Sequence, residues 1–355
     1  MASAPTPLDE RVVEATIHAL EIGAIHLGRR LGLYEALASA NGTTSTELAE
    51  RAGIAERYAR EWLEAQAVGG YIEVSNANAD AADRRYALTD EQCAVFVTPD
   101  DPAHVSSLAD MVAGASAVLD DVAAAFRDGT GVPYASYGTA FRNGQGAINR
   151  PLATHDLASW LEAIPGVAAR VTSGEPVRIA DVGMGQGWST IALAVALPHA
   201  TVVGIDADPA SVADARANAA QHGVDVEFVE ADATAIAEHG PFDLAVMIEA
   251  LHDFARPVEV LDAIRAALAP GGSLLVADEN VAETFTAPGD ELERIMYGWS
   301  VVHCLPACMA EQPSAGIGTV IRPDTVRKLG ADAGFAGVED VDVDGGFFRV
   351  YELRT

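Results

Sequence analysis

His252 is the residue in this sequence whose type and position fit acid–base chemistry best. It follows residues 242–248, an apolar run that predicts a buried strand, and it precedes Asp253. Open α/β sheets bind ligands at the carboxyl ends of their strands, and the ordinary pKa of histidine suits a general base. A histidine that packs against a ligand or caps the next helix explains the position equally well. Glu249 is a candidate for contact with a cofactor or a cationic acceptor.

The segment 284–321 is a second place where reactive and large side chains gather. A long segment between two elements is often a lid or a binding wall, and this one predicts contacts with an apolar or aromatic substrate. An apolar face that packs on the core or on a second subunit explains the same composition. The candidate substrate contacts in the segment are Met296, Tyr297, Trp299 and Cys304.

His303 is a second candidate base, and it lies in the same segment. Together with Cys304 and Cys308 it offers three donors to a metal ion. Structural zinc sites use four well-spaced ligands, so the sequence predicts no metal.

A glycine-rich turn lies between a predicted buried strand and an apolar helix in residues 177–197. Glycines let the backbone approach a ligand closely, and the helix N-terminus behind them offers free N–H groups. The spacing is G-x-G-x-G at Gly183, Gly185 and Gly187, whereas a dinucleotide site uses G-x-G-x-x-G. The turn alone is compatible with either kind of cofactor.

Two residues beside the turn distinguish between these cofactors. Trp188 stands where the third glycine of a dinucleotide motif would be. Asp181 precedes the first glycine, and a carboxylate there suits a cationic ligand better than a pyrophosphate. Both observations argue against a dinucleotide.

Alternating strands and helices after the turn predict a parallel α/β sheet. The second strand ends at Asp206, where a carboxylate can bind both hydroxyls of a ribose. The third strand leads into Asp232 and Ala233, a loop that reaches adenine in such folds, although Asp232 also suits a turn or a helix cap. Two final strands, 338–343 and 347–353, predict an antiparallel hairpin.

The N-terminal region predicts a winged helix, a mostly helical fold. Helical spacing covers residues 8–38 and 55–67, and two short strands follow at 71–74 and 85–88. A winged helix can read DNA through its second helix, but helix 55–67 has two arginines against three glutamates. DNA-binding helices usually carry a clear excess of basic residues, and this helix does not. Dimerisation or substrate capping is therefore favoured over binding of nucleic acid.

Two tyrosines lie in a glycine-flanked loop, residues 129–138, upstream of the predicted sheet. Tyr134 is a candidate substrate contact and Tyr137 a candidate cofactor contact. Packing for stability explains both tyrosines equally well. A helix is predicted over 152–163, directly after Pro151.

The composition excludes several classes of protein. The net charge is −30, from 52 acidic and 22 basic residues, which opposes binding to nucleic acid or anionic membranes. Uninterrupted apolar runs are too short to span a membrane, and three cysteines make no disulfide framework. The first residues lack the features of a signal peptide, so a cytoplasmic location is expected.

The later motifs resemble those of class I S-adenosylmethionine (SAM)-dependent methyltransferases. The resemblance rests on residues 181–187, Asp206, Asp232, residues 251–253 and residues 270–272, which occur in the order and spacing of that family. It implies a Rossmann-like α/β fold with a seven-stranded sheet and a C-terminal antiparallel hairpin. The implied cofactor contacts are Asp181, Gly183, Gly185, Gly187, Asp206, Asp232, Ala233, Glu249 and Tyr137.

The winged helix together with Leu-His-Asp is similar to small-molecule O-methyltransferases, and more closely to an actinobacterial winged-helix group often described as possible transcriptional regulators. The resemblance implies methyl transfer from SAM to a small molecule, with S-adenosylhomocysteine (SAH) as the product. Oxygen is the expected acceptor atom, nitrogen and carbon are the alternatives, and His252 takes the position of the catalytic histidine. A homodimer is expected. The alternative function is a SAM-sensing winged-helix transcriptional regulator.

The expected domain organisation has three parts. Residues 1–98 form a winged-helix domain for dimerisation or capping, and residues 99–166 form a helical linker region. Residues 167–355 form the SAM-binding domain, with residues 284–321 as its lid insertion.

Overall fold

The structure, a computed structural model, describes residues 6–40 and 42–355. The chain forms two compact units. The first contains Met1–Ala113 and Asn143–Pro151, and the second contains Gly114–Arg142 and Leu152–Thr355. The three-part division expected from the sequence follows motifs rather than packing, and it stays a prediction.

The first unit is built from helices and one small antiparallel wing. Its core contains the fully buried side chains of Leu33, Tyr34, Leu48 and Leu63. The helices that begin in this unit are α1 (Leu8–Arg30), α2 (Leu33–Ala38), α3 (Ser45–Ala52), α4 (Glu56–Val68), α5 (Asp90–Phe96) and α6 (Leu108–Ala117). The wing consists of β1 (Glu73–Val74) and β2 (Tyr86–Ala87).

Local sequence signals explain why the winged helix forms. Thr44 caps α3, because its side chain accepts from the backbone N–H of Glu47 and the Glu47 carboxylate accepts from the backbone N–H of Thr44. In the wing, Val74 lies opposite Tyr86. The predicted winged helix is confirmed.

Two predicted helices differ from the structure. The stretch with helical spacing over 8–38 forms two helices, because Gly32, a residue expected to mark its end, adopts a left-handed backbone (φ 64°) between α1 and α2. The helix start at residue 152 was wrong, because Pro151 lies inside α8 (Gly138–His155). A proline within a helix forfeits one hydrogen bond, and here the helix continues for another turn beyond it.

The second unit contains a seven-stranded sheet. Its strand order is β5-β4-β3-β6-β7-β9-β8, and β9 runs antiparallel to both β7 and β8. This confirms the predicted parallel sheet with a C-terminal antiparallel hairpin. The strands are β3 (Val177–Val182), β4 (Ala200–Asp206), β5 (Glu227–Glu230), β6 (Phe242–Ile248), β7 (Leu268–Glu279), β8 (Gly337–Asp340) and β9 (Phe348–Arg354).

Helices flank both faces of this sheet. Two apolar cores result, one on each face, and residues that alternate along β6 contribute to opposite cores, such as Leu244 and Ala245. The helices of this unit are α7 (Leu119–Asp128), α9 (Leu157–Glu162), α10 (Pro165–Val171), α11 (Trp188–Ala196), α12 (Pro209–His222), α13 (Pro257–Ala267), α14 (Glu291–Trp299), α15 (Leu305–Cys308) and α16 (Pro323–Asp332), and α8 (Gly138–His155) is divided between the two units.

The parallel strands place several candidate residues at one edge. The carboxyl ends of β3, β4, β6 and β7 meet there, since neighbouring strands pair in parallel register. The glycine turn, Asp206, His252 and Asp278 follow or end these strands. None of the described helices is both long and apolar enough to cross a membrane.

Candidate functional site

The turn after β3 contains three glycines with left-handed backbones: φ is 73° at Gly183, 54° at Gly185 and 78° at Gly187. A Cβ atom at Gly183 would lie 2.8 Å from the Cβ of Ala250, and one at Gly187 would lie 2.8 Å from the Cβ of Ala215. At Gly185 nothing lies within 4 Å. Packing therefore requires glycine at the first and third positions, while the second borders open space that a ligand can fill.

Asp181, near the end of β3, stabilises this turn. It is 1% exposed, and its Oδ2 accepts hydrogen bonds of 2.6 Å from both Ser189 Oγ and Thr190 Oγ1. Burial raises the pKa of this carboxyl. Asp181 thus ties the end of β3 to the first turn of α11, and its direct contact with a cofactor stays a prediction.

Asp206 lies beside the second glycine of the turn. Its Oδ2 accepts from the backbone N–H of Gly185 and its Oδ1 from that of Asp208, both at 2.8 Å. Burial raises the pKa of Asp206 to about 6. The carboxylate is held by two backbone groups and is half-buried, and its contact with a ribose stays a prediction.

Asp232 and Ala233 begin the turn after β5. Asp232 Oδ1 accepts from the backbone N–H of Thr234 at 2.9 Å, and the Thr234 hydroxyl holds the pKa of Asp232 below its ordinary value. Asp232 is exposed and Ala233 is buried. The capping role that the sequence allowed is present, and contact with an adenine stays a prediction.

His252 lies in a short 3₁₀ turn, Leu251–Asp253, directly after β6. It is 1% exposed. Its Nδ1 lies 2.7 Å from Asp278 Oδ1, and its Nε2 lies 3.4 Å from Asp253 Oδ1. Asp278 comes from the neighbouring strand β7, so the closest partner of His252 is distant in sequence.

The carboxylates determine the charge state of this histidine. Burial by itself would lower the pKa of His252, but the neighbouring Asp278 and Asp253 outweigh burial and raise the pKa well above its ordinary value. The ring therefore stays protonated to higher pH than free imidazole, and only its neutral form can accept a proton. The bond to Asp278 also fixes its orientation.

Glu249 and Glu279 add two further carboxyl groups at the same strand ends. Glu279 is 2% exposed, and burial together with the charge of Glu249 raises its pKa well above the ordinary value. Among the described residues, Glu249 is the one non-glycine with a left-handed backbone (φ 50°). Such strain clusters at functional sites.

The segment Ser300–Cys304 is a π-helical turn that follows α14. It carries His303, whose ring stacks on Phe141 with centroids 4.0 Å apart and meets Tyr137 edge-on at 4.4 Å. The ring centroid of Tyr134 lies 5.9 Å from the ring centroid of His303. The turn thereby gathers aromatic side chains from two distant segments.

His303 itself is nearly inaccessible to solvent. Burial lowers the pKa of His303 to about 3. Its Nε2 has no hydrogen-bond partner in the part of the chain that the structure describes. Such a ring is neutral and weakly basic, so this environment favours His252 over His303 as the base.

Cys304 adjoins His252 and Asp253. A ring nitrogen of His252, a carboxylate oxygen of Asp253 and the sulfur of Cys304 lie within 4.8 Å of one another. Burial raises the pKa of the Cys304 thiol to about 12. Cys308 is not in this group, since its sulfur contacts the carbonyl of Phe254 and the hydroxyl of Ser314.

The remaining predicted contacts divide between two environments. Trp299 lies 6.2 Å from Phe141 in the aromatic group, and Met296 is buried. Tyr297 is 39% exposed, and its hydroxyl accepts from the guanidinium of Arg322. Tyr297 therefore lies on another face of α14 from this aromatic group, and its proposed substrate contact has no support from this placement.

Tyr137 also has an internal partner. Its hydroxyl donates to the carbonyl oxygen of Val302 at 3.1 Å, and its side chain is buried. Tyr137 thus fixes the π-helical segment, and its cofactor contact stays a prediction.

Sequence reasoning missed three residues of this site: Asp278, Glu279 and Phe141. The sequence did carry a signal for Asp278 and Glu279. They form an acidic pair at the carboxyl end of a strand, and that strand lies beside the one that His252 follows, so both strands end at the same edge of the sheet. No comparable signal marked Phe141. Its contact with His303 depends on how α8 packs on the π-helical segment.

The arginines of α4 and of the wing are paired with acidic side chains. On α4, Arg57 pairs with Glu61 and Arg60 pairs with Glu56. Arg84 of the wing pairs with Glu64. These surfaces are therefore largely neutralised, as their composition predicted.

Two family models match separate parts of the chain. Residues 19–98 match the family described as "Rv2258c-like winged HTH domain", and residues 174–314 match the family described as "Methyltransferase domain". The second match includes the glycine turn, Asp206, His252 and Cys304.

A demethylmenaquinone methyltransferase of Thermus thermophilus is 38% identical over 104 residues, which are 29% of this chain and 47% of that protein. The chain spans about half the length of the curated relatives it matches.

Solved structures resemble nearly the whole chain. Human N-acetylserotonin methyltransferase in complex with SAM has a TM-score of 0.72 at 18% identity, and the match covers 100% of this chain and 99% of that one. Mitomycin 7-O-methyltransferase has a TM-score of 0.65 at 21% identity, with 98% and 97% covered. The chain has the class I methyltransferase fold with an N-terminal winged helix-turn-helix domain.

Proposed function

We propose that this protein is a SAM-dependent methyltransferase that acts on a small molecule. The observation that carries the proposal is the match of residues 174–314 to a methyltransferase domain. The same residues place the glycine turn, Asp206 and His252 at one edge of the sheet. The solved structure with SAM and the O-methyltransferase of the same fold support the cofactor and the reaction.

The glycine turn and Asp206 fit a nucleoside cofactor. Open space borders Gly185, and Asp206 is half-buried and held beside it. We assign the ribose to Asp206, the adenine side to Asp232 and Ala233, and the amino-acid end to the turn and Glu249. When bound, SAM supplies a methyl group on a sulfonium that is a good leaving group.

We further propose that oxygen is the acceptor atom and that His252 is the general base. Nδ1 of His252 keeps its proton and donates to Asp278 Oδ1 at 2.7 Å. That bond leaves the lone pair of Nε2 to accept the proton of the acceptor hydroxyl. Asp278 and Asp253 then stabilise the resulting imidazolium, since both carboxylates lie within 3.4 Å of the ring nitrogens.

The aromatic group around His303 supports a planar, largely apolar acceptor. Tyr134 and Trp299 are half-buried and offer ring surface, and the buried Phe141 packs against both of these rings. Phenols and hydroxylated heteroaromatics match such a surface.

Calorimetry with SAM and with SAH tests the cofactor. We expect binding of both at one site per chain, and failure to bind either would refute the proposal. Methyl transfer is then followed with labelled SAM and an extract of small metabolites, and mass spectrometry identifies the acceptor. His252→Gln should retain SAH affinity while it loses transfer.

We also propose a homodimer that α1 helps to form. Large apolar side chains on α1 and at its end are exposed, among them Leu8 and Val12, and five of them share one face: Val13, Ile17, Leu20, Leu27 and Leu31. They fall within an arc of about 80° at the helical repeat of roughly 100° per residue. Light scattering should show a dimer that Leu20→Arg weakens, whereas Val68→Arg, also at an exposed apolar position, should not.

The alternative, a SAM-sensing transcriptional regulator, has no comparable support, because the α4 and wing arginines are paired with glutamates. We therefore expect no gel shift with upstream DNA, with or without SAM, even at low salt. A cytoplasmic location remains our expectation.

A further inference from the structure

His252, Asp253 and Cys304 bring three metal-binding atoms to one place. The imidazole nitrogen, the carboxylate oxygen and the sulfur all lie within 4.8 Å of one another, and His252 Nε2 and Asp253 Oδ1 are 3.4 Å apart. His252 and Cys304 are 1% and 8% exposed. The first two residues follow β6, and the third comes from the π-helical segment.

These separations suit ligands of a tetrahedral cation. Zinc binds nitrogen and oxygen at about 2.0–2.2 Å and sulfur at about 2.3 Å. Two ligands of one such ion are then about 3.3–3.7 Å apart, by the tetrahedral angle applied to those bond lengths. The 3.4 Å between Nε2 and Oδ1 lies in that range, and the sulfur of Cys304 lies within 4.8 Å of a nitrogen of His252 and an oxygen of Asp253.

Asp278 presents the histidine in the way that metal sites do. In proteins, a metal-binding histidine almost always donates its other ring N–H to a carboxylate or a carbonyl, which fixes the tautomer and makes the ligand more basic. Here Nδ1 of His252 lies 2.7 Å from Asp278 Oδ1. The lone pair of Nε2 is then on the side where Asp253 and Cys304 lie.

The surroundings also carry negative charge that a cation would balance. Asp278 Oδ2 is buried without a hydrogen-bond partner in the described part of the chain. Within that part, the only basic group paired with Asp253 or Asp278 is the His252 ring. A divalent ion with one thiolate and one carboxylate ligand forms a neutral unit.

We propose that His252 Nε2, Asp253 and Cys304 form a binding site for a thiophilic divalent cation of the zinc class. Cys304 releases its thiol proton to solvent as the sulfur–metal bond forms. The fourth coordination position is open. The ion occupies the lone pair that the proposed reaction uses, so it inhibits methyl transfer; this last clause rests on the proposed function, whereas the binding site does not.

This ligand set differs from the one that the sequence suggested. His303 and Cys308 are neighbours of Cys304 in the chain, but Cys308 binds Phe254 and Ser314 instead. The other two ligands, His252 and Asp253, come from a segment about 50 residues earlier in the sequence. Only the packed structure brings them together.

The test titrates chelator-treated full-length protein with Co²⁺, a spectroscopic substitute for zinc, and then displaces Co²⁺ with Zn²⁺. We expect one Co²⁺ per chain, a thiolate-to-cobalt charge-transfer band and the intense visible bands of tetrahedral coordination. Cys304→Ser should abolish the charge-transfer band and weaken Zn²⁺ binding at least about tenfold. Cys308→Ser is the matched control and should bind like the wild type.

Asp253→Asn keeps the shape of the side chain and serves as a second variant if Cys304→Ser fails to fold. It should retain the charge-transfer band while Zn²⁺ affinity falls. Absence of stoichiometric binding, or equal effects of Cys304→Ser and Cys308→Ser, would overturn the site.

SAH calorimetry on the metal-free protein separates the two proposals. Binding of Co²⁺ that depends on Cys304 in a protein that does not bind SAH would leave the metal site standing and remove the methyltransferase. Methyl transfer that Zn²⁺ does not reduce, at concentrations that saturate the site, would overturn the inhibitory role.

Discussion

Nδ1 of His252 and Oδ1 of Asp278 are 2.7 Å apart, and this bond joins the ends of β6 and β7. Both side chains are buried. The pair therefore fixes one ring orientation and one tautomer at the point where two neighbouring strands end.

Asp278→Asn tests this relationship. An amide can accept from Nδ1 but carries no charge to stabilise the imidazolium, so methyl transfer should fall by about 10²-fold or more. Labelled methyl incorporation measures the effect, and SAH calorimetry serves as the control. Unchanged transfer by a folded variant would remove Asp278 from the proposed mechanism.

Gly185→Ala and Gly187→Ala should separate ligand contact from packing. An alanine at Gly187 adds left-handed strain, which costs about 1–3 kcal/mol, and a clash with Ala215 at 2.8 Å. The melting temperature of the Gly187→Ala variant should therefore fall by several degrees. At Gly185 no atom lies within 4 Å, so a smaller loss of stability and a larger loss of SAH affinity are expected. If Gly187→Ala lost more SAH affinity than Gly185→Ala, the assignment of the open space beside Gly185 to the cofactor would be contradicted.

Arg322→Met should destabilise the insertion between β7 and α16. Arg322 lies 3.1 Å from the nearly inaccessible carboxylate of Glu293, which also accepts from the backbone N–H of Ala282. Removal of one partner of a buried ion pair costs about 3–5 kcal/mol. Chemical denaturation measures the loss, and Lys328→Met, which breaks an exposed pair with Asp332, should change little.

Stability should decrease on acidification between pH 6.5 and pH 4 because of His104. Burial, and next the guanidinium of Arg29, lower the pKa of His104 from 6.5 to about 4. Between these two pKa values, the unfolded chain binds a proton at His104 that the folded chain does not bind. The contribution of His104 to the free energy of unfolding is therefore complete above pH 6.5 and is lost as the pH falls towards 4. Above pH 6.5 the depressed pKa of His104 contributes about 3 kcal/mol to the free energy of unfolding.

Denaturation at several pH values should show this slope in the wild type. His104→Gln removes the titrating group, so its slope should be smaller, although His303 still contributes. Equal slopes in the two proteins would show that His104 does not titrate as described.

The sequence by itself determined the elements and their order. Alternating apolar strands and helices predicted the parallel sheet, Asp344-Gly345-Gly346 predicted the final hairpin, and the glycine spacing predicted the turn. These features are local, because a turn type or a strand pattern depends on residues a few positions apart.

Helix boundaries were predicted less well where one residue acts against its neighbours. Gly32 interrupts an apolar periodicity that continues across it, and Pro151 lies inside a helix that its packing maintains. In both cases the local signal competes with burial, and sequence alone gives no measure of which effect is larger.

Only the tertiary structure decided which residues surround His252. Asp278 reaches it because β6 and β7 are neighbours in parallel register, and Cys304 reaches it because the π-helical segment packs against the turn after β6. The end of a neighbouring strand made Asp278 a candidate partner in the sequence, but nothing in the sequence indicated the contact with Cys304, because it joins segments about 50 residues apart. The resulting burial and excess of carboxylates set the pKa of His252 and create the proposed cation site.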